Sequence, residues 1–443
     1  MNSRIFMVFL SSALSVWGCE TFVQVNPPID QMVSKQVFSD EPTANAALNG
    51  LYSEVMNSNF FFLNGGLTIY GGLSAGELDN RVSSATREEF RTRTLQPTNS
   101  DNDYRLWRKG YSVIYLCNAL LEGSQTASLD ARLLDRIVGE ALFMRALHYF
   151  YLTNLYGPVP LVVTTDAATN AMLARTPVAD IYATIEEDLK RAEALLPDIY
   201  SVAFRAKPNR ACAQALLARF YRHTNRWEEA YMYSDRLITS GEYALEQIPT
   251  VFEKESEETI LQLYPVNDSF KATAEAQYFI PTEAASSLPT ILISEQVLER
   301  FEPSDLRLTE WVGSKSYLDN TYHYPSKYNV RLGEEDRQEY NVLFRLAEQY
   351  LIRAEAAVHM DDLDGAVESL NAVRTRAGLE AIGRLSADQV LEALIAEKGR
   401  EFFAEVGHGW LDLMHWGFVD DGLYPIPQYE LDSNPFLYQN DGY

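Results

Sequence analysis

The sequence predicts a mainly α-helical protein, in which tetratricopeptide-like helical hairpins pack against an irregular, loop-rich part with short strands. Long stretches carry apolar residues at spacings of three and four, which is the period of an amphipathic helix. Two other stretches lack that period and are rich in Pro, Gly, Ser, Asn and Tyr. The chain has 443 residues, of which 47% are hydrophobic, so it is long enough to bury a large core.

The first 18 residues are predicted to be a signal peptide. Arg4 precedes a short apolar run from Ile5 to Val16, which is too short to span a bilayer. Cys19 follows directly, as in a lipoprotein-type cleavage site, so we expect Cys19 to be acylated as the first residue of the mature chain. An ordinary signal peptide with an incidental cysteine is the alternative interpretation.

The chain is strongly acidic, with a formal net charge of −25 and a pI of about 4.7. Nucleic-acid binding requires a basic surface that faces the phosphates, so this composition argues against nucleic acid as a partner. The two cysteines beyond Cys19 are Cys117 and Cys212, which lie in apolar or alanine-rich surroundings and predict no disulfide framework.

Helical periodicity covers the greater part of the chain beyond residue 130. The predicted helices are 130–156, 177–196, 208–223, 227–240, 344–360, 363–377 and 387–406, with a further helix over 104–121 and a short one over 294–301. Ala218, Tyr221 and Ala230 recur in spacing as Ala354, Ala357 and Ala366. Small residues at these points let two antiparallel helices approach closely, which is typical of helical hairpin repeats, although alanine-rich helices also produce such spacing by chance.

Two segments are predicted to be irregular, over 64–100 and over 262–340. The first contains Gly65-Gly66 and Gly71-Gly72, and the second is rich in tyrosine and polar residues. We therefore divide the mature chain into a helical-repeat part over 19–261 and a part over 262–443 that carries ligand-facing loops and the last helical repeat. Loops on a rigid scaffold are the usual place for recognition.

Five segments in order along the chain resemble the SusD/RagB family of nutrient-uptake lipoproteins. They are 145–161, with its Tyr-Gly-Pro-Val-Pro turn, 207–230, 346–378, 397–416 and 424–443. The resemblance runs from Cys19 to Tyr443, with departures at Gly409, Met414 and His415, where many members carry arginine. It implies a SusD-like α/α superhelix, lipid-anchored in the cell outer membrane and facing the exterior. It also implies binding of an oligosaccharide or polysaccharide for delivery to a SusC-like TonB-dependent transporter.

Aromatic side chains that alternate with polar ones in the irregular segments are the candidate ligand-binding residues. Sugar rings present flat C–H faces that stack on aromatic rings, and their hydroxyls bond to planar polar groups. The first candidates are Tyr317, Tyr322, Asn80 and Arg81. The further candidates are Asp79, Tyr278, Tyr324, Tyr70 and Trp311. Each aromatic, taken singly, is also typical of a packing residue.

Three other functions compete with glycan capture, one of them a pure assembly lipoprotein whose repeats bind only protein. RagB-type capture of peptides would use the same scaffold, and an acidic surface would favour basic peptides. A helical glycoside hydrolase would need two carboxylates facing each other across a cleft, and Glu77 with Asp79 is the nearest pair. Residues two apart do not usually face a substrate from opposite sides, so we expect a binding protein and not an enzyme.

We expect no organic cofactor and no metal site, and a calcium ion shared with distant loops is the alternative that the residues leave open. Asn99, Asp101 and Asp103 have the alternate spacing of a calcium loop, but Tyr104 stands where the sharp turn needs glycine, and Gly110 where a closing glutamate belongs. Capping of the following helix explains these residues better. The six histidines show no zinc-ligand spacing.

Overall fold

The computed structural model describes residues 38–266, 269, 271–284, 286–333, 336–419 and 422–443. The predicted signal peptide and the predicted lipidation site Cys19 lie outside the described residues.

Helices form most of the described structure, and those of six or more residues are labelled here. They are α1 Glu41–Met56, α2 Ala85–Thr92, α3 Arg108–Ser124, α4 Ala131–Tyr156, α5 Val178–Leu195, α6 Arg210–His223, α7 Trp227–Thr239, α8 Ala274–Phe279, α9 Leu346–His359, α10 Leu363–Arg376, α11 Ala387–Glu401, α12 His408–His415 and α13 Gln428–Ser433. Shorter helical turns occur at Gly72–Ser74, Ala167–Asn170, Ala203–Arg205, Ile248–Thr250, Glu295–Leu298 and Leu306–Glu310, and π-helical turns occur at Leu67–Gly71 and Asn102–Trp107.

Local capping residues determine where several of these helices begin. The side chain of Asp130 accepts a hydrogen bond from the backbone N–H of Arg132 at 2.9 Å, at the start of α4. Asn209 accepts from Cys212 at the start of α6, at 3.2 Å. Such caps satisfy backbone donors that have no partner within the helix. These helices therefore begin within two residues of their predicted starts.

The long helices pack as successive antiparallel hairpins. In the chain, α3 contacts α4, α4 contacts α5, and the contacts continue through α6, α7 and α9 to α10 and α11. Ala218, Ala230, Ala354, Ala357 and Ala366 are fully buried, and so is Tyr221 apart from 1% of its surface. The predicted helical superhelix is confirmed, because these small residues lie where the helices approach each other.

Short antiparallel strand pairs form the sheet structure of the described residues. The strands are β1 Leu78–Asn80, β2 Thr259–Leu263, β3 Ile291–Ile293, β4 Val312–Tyr317, β5 Asn320–Pro325 and β6 Asn341–Arg345. β1 pairs with β3, β2 with β6, and β4 with β5. β2 and β6 are buried along their whole length, whereas the β4–β5 hairpin is largely exposed and packs beside β3. β2 spans residue 262, the predicted boundary between the two parts, and that division stays a prediction.

Buried arginines neutralise Glu397 and Glu401 of α11 and Glu405, which follows this helix. Arg307 donates to Glu397 at 2.7 Å and to Glu401 at 2.6 Å, and Arg345 donates to Glu405 at 2.8 Å. All of these side chains are nearly or fully buried. Glu397, Glu401 and Glu405 are spaced four residues apart. Because a buried charge without a partner is costly, arginines from distant segments pair with these glutamates and stabilise them.

Several helix boundaries differ from the sequence prediction, and α2 lies within the segment 64–100 that was predicted to be irregular. α11 ends at Glu401 instead of 406, and Ala404 and Val406 then adopt positive φ angles of 52° and 32°. The helix expected from Tyr104 begins as the π-helical turn Asn102–Trp107. α1 was not predicted, although it buries Leu48, Leu51 and Val55 at spacings of three and four along one face.

No helix among the residues described above combines the length and the apolar character that a membrane crossing requires.

Candidate ligand-binding surface

The β4–β5 hairpin presents three of the predicted tyrosines on one face. Its register places Gly313 opposite Tyr324, Lys315 opposite Tyr322, and Tyr317 at the end of the pairing beside the turn. Directly opposed residues of antiparallel strands project to the same side. Tyr317, Tyr322 and Tyr324 therefore share one face of the hairpin, as the alternation of the sequence requires.

The two ends of this face differ in exposure. Tyr324 lies over Gly313, where an added Cβ would come within 2.3 Å of the ring. Its partial burial raises the pKa of Tyr324. Tyr317 is 38% exposed at the tip of the hairpin, where Leu318 turns the chain with a positive φ of 52°. The hairpin is thus anchored at Tyr324 and offers Tyr317 to solvent.

Arg81 lies beside this face, at the end of β1. Its backbone N–H donates to Thr290 at 3.1 Å, and its Nε donates to the carbonyl oxygen of Pro289 at 2.5 Å. The Arg81 Cζ atom lies 6.0 Å from the centroid of the Tyr322 ring. This is within the range of a cation–π contact. The fold therefore brings together Arg81 and Tyr322, which are more than 200 residues apart in sequence.

Asn80 and Asp79 precede Arg81 on β1, where they pair with Ile291 and Leu292 of β3. The amide oxygen of Asn80 is buried and accepts no hydrogen bond from the described residues. Asp79 lies 3.8 Å from the guanidinium of Arg91 and keeps 47% of its side chain exposed. Because adjacent residues of a strand point to opposite sides, the buried acceptor of Asn80 and the exposed carboxylate of Asp79 lie on different faces of β1.

Tyr278 extends the surface from Arg81 towards the helical part of the molecule. Its backbone oxygen accepts from Thr290, the residue whose carbonyl oxygen binds the Arg81 N–H. The Tyr278 ring lies 4.5 Å from the ring of Phe60, and the Arg87 Cζ atom lies 5.4 Å from the Tyr278 ring. A row of arginines and aromatic rings therefore continues beyond the hairpin.

Sequence reasoning missed Phe60, Phe61, Arg87 and Arg105, which extend this row. The Arg105 Cζ atom lies 4.9 Å from the Phe61 ring, and both Phe60 and Phe62 have positive φ angles. Positive φ is unusual for a bulky residue and occurs more often at functional sites. The sequence feature that could have identified Phe60 and Phe61 is the aromatic run at 60–62 just before Gly65-Gly66.

The rim of the surface contains unpartnered polar atoms. Besides the Asn80 oxygen, Arg87 Nη1 and Gln277 Nε2 are buried and make no hydrogen bond to the described residues. The Gln277 oxygen, in contrast, accepts from Asn59 at 2.5 Å. Buried donors and acceptors without partners are costly, and these three atoms have almost no accessible surface in this structure.

Two of the predicted ligand-binding residues do not belong to this surface. Tyr70 is 3% exposed and packs on Phe90 at a ring distance of 4.7 Å. Trp311 is 2% exposed, and its Nε1 donates to the carbonyl oxygen of Ile248 at 3.0 Å. Both assignments are corrected, because these rings fill the core between packed elements and present no face to solvent.

The residues with calcium-like spacing cap and brace the start of α3. The Asn99 side-chain oxygen accepts from the backbone N–H groups of Asp101 and Asn102, both at 3.0 Å. Asp101 pairs with Arg105 at 2.8 Å, and Asp103 pairs with Arg108 at 2.7 Å. Within the described ranges, no group of three or more His, Cys, Asp or Glu side chains is arranged to hold a metal ion.

The carboxylate pair considered for hydrolysis does not face a common cleft. Glu77 is 4% exposed and lies against Gly409, where an added Cβ would approach its Oε1 atom to 2.3 Å. Asp79 is directed to Arg91. The side chains therefore occupy different environments, and the arrangement lacks the geometry of a glycosidase pair.

Comparisons with known proteins agree with this architecture. Residues 21–222 match a family model described as starch-binding associating with outer membrane, and residues 309–422 match the model of the SusD family. A SusD-like protein of Formosa agariphila is 22% identical, with 100% of this chain and 99% of that protein aligned. A SusD-like protein of Bacteroides ovatus is 24% identical over 93% of this chain and 83% of that protein.

Solved structures of similar fold cover nearly the whole chain. A SusD superfamily protein of Bacteroides thetaiotaomicron is 23% identical and superimposes with a TM-score of 0.79 over 90% of this chain and 99% of that protein. A laminarin-binding SusD-like protein is 24% identical, with a TM-score of 0.77 over 91% and 100%. The ordered sequence motifs, the helical superhelix and these matches lead to one conclusion: the chain belongs to the SusD/RagB family.

Proposed function

We propose that this chain is an outer-membrane surface lipoprotein that binds an oligosaccharide or polysaccharide and delivers it to a SusC-like TonB-dependent transporter. The role is binding and not catalysis. Family membership supports the proposal, because the matching model is described by starch binding and association with the outer membrane. The laminarin-binding relative adds support for a glycan ligand.

The observation that carries the proposal is the contact between Arg81 and Tyr322 beside a hairpin face that also holds Tyr317. A row of flat rings offers stacking to successive sugar C–H faces. The guanidinium of Arg81 supplies planar donors for ring hydroxyls. The pairing of both types of group on one surface is what recognition of a neutral glycan requires.

The proposed surface keeps Tyr317, Tyr322, Tyr324, Tyr278 and Arg81. Asn80 and Asp79 remain candidates at its edge, on opposite faces of β1. Tyr324 and Tyr278 are half-buried, so we expect them to position the surface as well as to touch ligand. Tyr317 and Tyr322 are the rings we expect to carry most of the stacking.

Calorimetric titration of the chain from residue 20 onwards, against starch, laminarin and other polysaccharides and against a peptide digest, tests the proposal. We expect saturable glycan binding that falls by at least tenfold in the Tyr317→Ala/Tyr322→Ala variant, since stacking of this kind is worth about 1 kcal/mol or more per ring. Tyr115→Ala is the matched control, because Tyr115 is 47% exposed on α3 in the helical part.

The outcomes separate the competing functions. Binding of peptides alone would favour RagB-type peptide capture. Glycan binding that survives in the double variant would move the site away from the hairpin. Absence of binding to both panels would contradict capture by the isolated chain.

The proposed anchor is tested separately. Labelled palmitate should enter the wild-type chain, and the chain should be found in the outer-membrane fraction with its surface accessible to external protease. Cys19→Ala should lose both the label and the membrane association. A Cys19→Ala chain that still carries the label would contradict acylation at this cysteine.

A further inference from the structure

A cavity of about 330 Å³ lies between α11, α12 and the segment that precedes β1, apart from the hairpin surface. The side chains that matter for its chemistry are those of Glu77, Arg300, Ile395, Phe402 and Trp416. Gly409 forms part of its wall and has no side chain to fill it. The cavity is large enough for a small organic molecule.

Glu77 supplies an unpaired carboxylate to this cavity. It is 4% exposed, and its hydrogen bond from the backbone N–H of Ala404 is long, at 3.4 Å. Among the described residues, no cation lies within ion-pair distance of its oxygens, although Arg300 acts on it from farther away. Burial raises the pKa of Glu77 to about 7. A buried carboxylate of this kind is stabilised by any cationic group that enters the cavity.

Arg300 supplies the opposite charge. Its guanidinium packs against Gly399 of α11, where an added Cβ would lie 2.7 Å from the Nη1 atom of Arg300. The guanidinium forms no ion pair or hydrogen bond with the described residues, and Glu392 at the rim is exposed. The Arg300 guanidinium therefore lines the cavity as a cation that has no anionic partner among the described residues.

The other buried charges at the cavity compensate one another, and Glu392 lies exposed at its rim. Lys398 pairs with Asp412 at 2.9 Å, and Arg222 pairs with Asp412 at 2.6 Å and with Glu355 at 2.7 Å. Glu77 and Arg300 remain as one negative and one positive group that face the same space. A ligand with both a cationic and an anionic group would complete both pairs.

We propose that this cavity binds a small zwitterion of the amino-acid class, with the ammonium group at Glu77 and the carboxylate at Arg300. The apolar wall formed by Ile395, Phe402 and Trp416 would receive an aliphatic side chain. This site is independent of the proposed glycan surface and uses none of its residues.

Calorimetric titration with L-leucine tests the proposal, beside two analogues that each lack one charge, isopentylamine and 4-methylpentanoate. We expect saturable binding of leucine that is at least about tenfold tighter than that of either analogue, because two charge-assisted contacts replace one. Glu77→Gln and Arg300→Gln should each weaken leucine binding by about the same factor. Arg132→Gln, on the exposed start of α4, is the matched control.

A cavity-filling variant tests the location without changing a charge. Ala396→Phe places a ring in the cavity that Ala396 lines, and it should abolish leucine binding while glycan binding stays unchanged. Equal affinity for isopentylamine or for 4-methylpentanoate would overturn the zwitterion assignment. Absence of leucine binding to the wild-type chain, or unchanged binding in Ala396→Phe, would overturn the site itself.

Discussion

Substitution of Glu275 by glutamine should stabilise the protein at pH 8 and leave its stability unchanged at pH 5. Glu275 is 2% exposed on α8, where its oxygens accept from Thr68 at 3.0 Å and from Asn341 at 2.9 and 3.1 Å. None of these donors is charged. Burial therefore raises the pKa of Glu275 from its ordinary value of 4.5 to about 7.

The raised pKa sets both the sign and the size of the effect. The folded state holds this proton more tightly than the unfolded state, so its stability falls as the pH rises from about 4.5 to about 7. At about 1.4 kcal/mol per pKa unit, ionisation of Glu275 costs about 3 kcal/mol above pH 7. The neutral amide of glutamine avoids this cost. The Asn341 side-chain oxygen, which has no partner, can accept from the new amide.

Differential scanning calorimetry at pH 5 and pH 8 measures this effect. For a chain of this length, about 3 kcal/mol corresponds to a rise in Tm of about 4 °C at pH 8. Glu283→Gln is the matched control, because Glu283 is an exposed glutamate of the neighbouring loop. A Glu275→Gln variant with the same change in Tm at both pH values would refute the reasoning.

Further substitutions test other parts of the structure. Arg219→Met leaves Glu348 buried without its partner, which now lies 2.6 Å away, so we expect a loss of about 3–5 kcal/mol in urea unfolding; a second change, Glu348→Leu, should restore most of it. Gly313→Ala adds a Cβ 2.3 Å from the Tyr324 ring, so it should reduce stability by about 1–3 kcal/mol and weaken glycan binding; unchanged binding would contradict the proposed anchoring of the hairpin. Asn99→Ala removes the cap before α3 and should lower the free energy of unfolding by about 1 kcal/mol, with no response to calcium in either chain.

The candidate surface was predicted only in part from the sequence. The sequence identified the tyrosines over 317–324 as candidates, but the hairpin that places them on one face was found only in the structure. The sequence placed Arg81 and Tyr322 in two separate loop segments and did not predict that they contact each other. Phe60 and Arg87 were missed, because an aromatic run beside glycines is equally typical of a buried turn.

The sequence by itself determined most of the long helices, their hairpin pairing and the family of this protein. Helical periodicity, capping residues such as Asp130 and Asn209, and the small residues at Ala218 and Ala354 act within a few turns of chain, so they can be identified without the fold. The ordered motifs of the SusD/RagB family are likewise present in the chain as written.

Only the tertiary structure decided which polar and aromatic groups are exposed, buried or paired. Tyr70 and Trp311 look like Tyr317 and Tyr322 in sequence, yet the first two fill the core and the last two lie at the surface. Glu77 likewise lies beside Gly409, a residue more than 300 positions away in sequence, and this contact could not be identified from the local sequence. Burial and charge pairing depend on what distant segments place around a side chain, and local sequence carries no record of those neighbours.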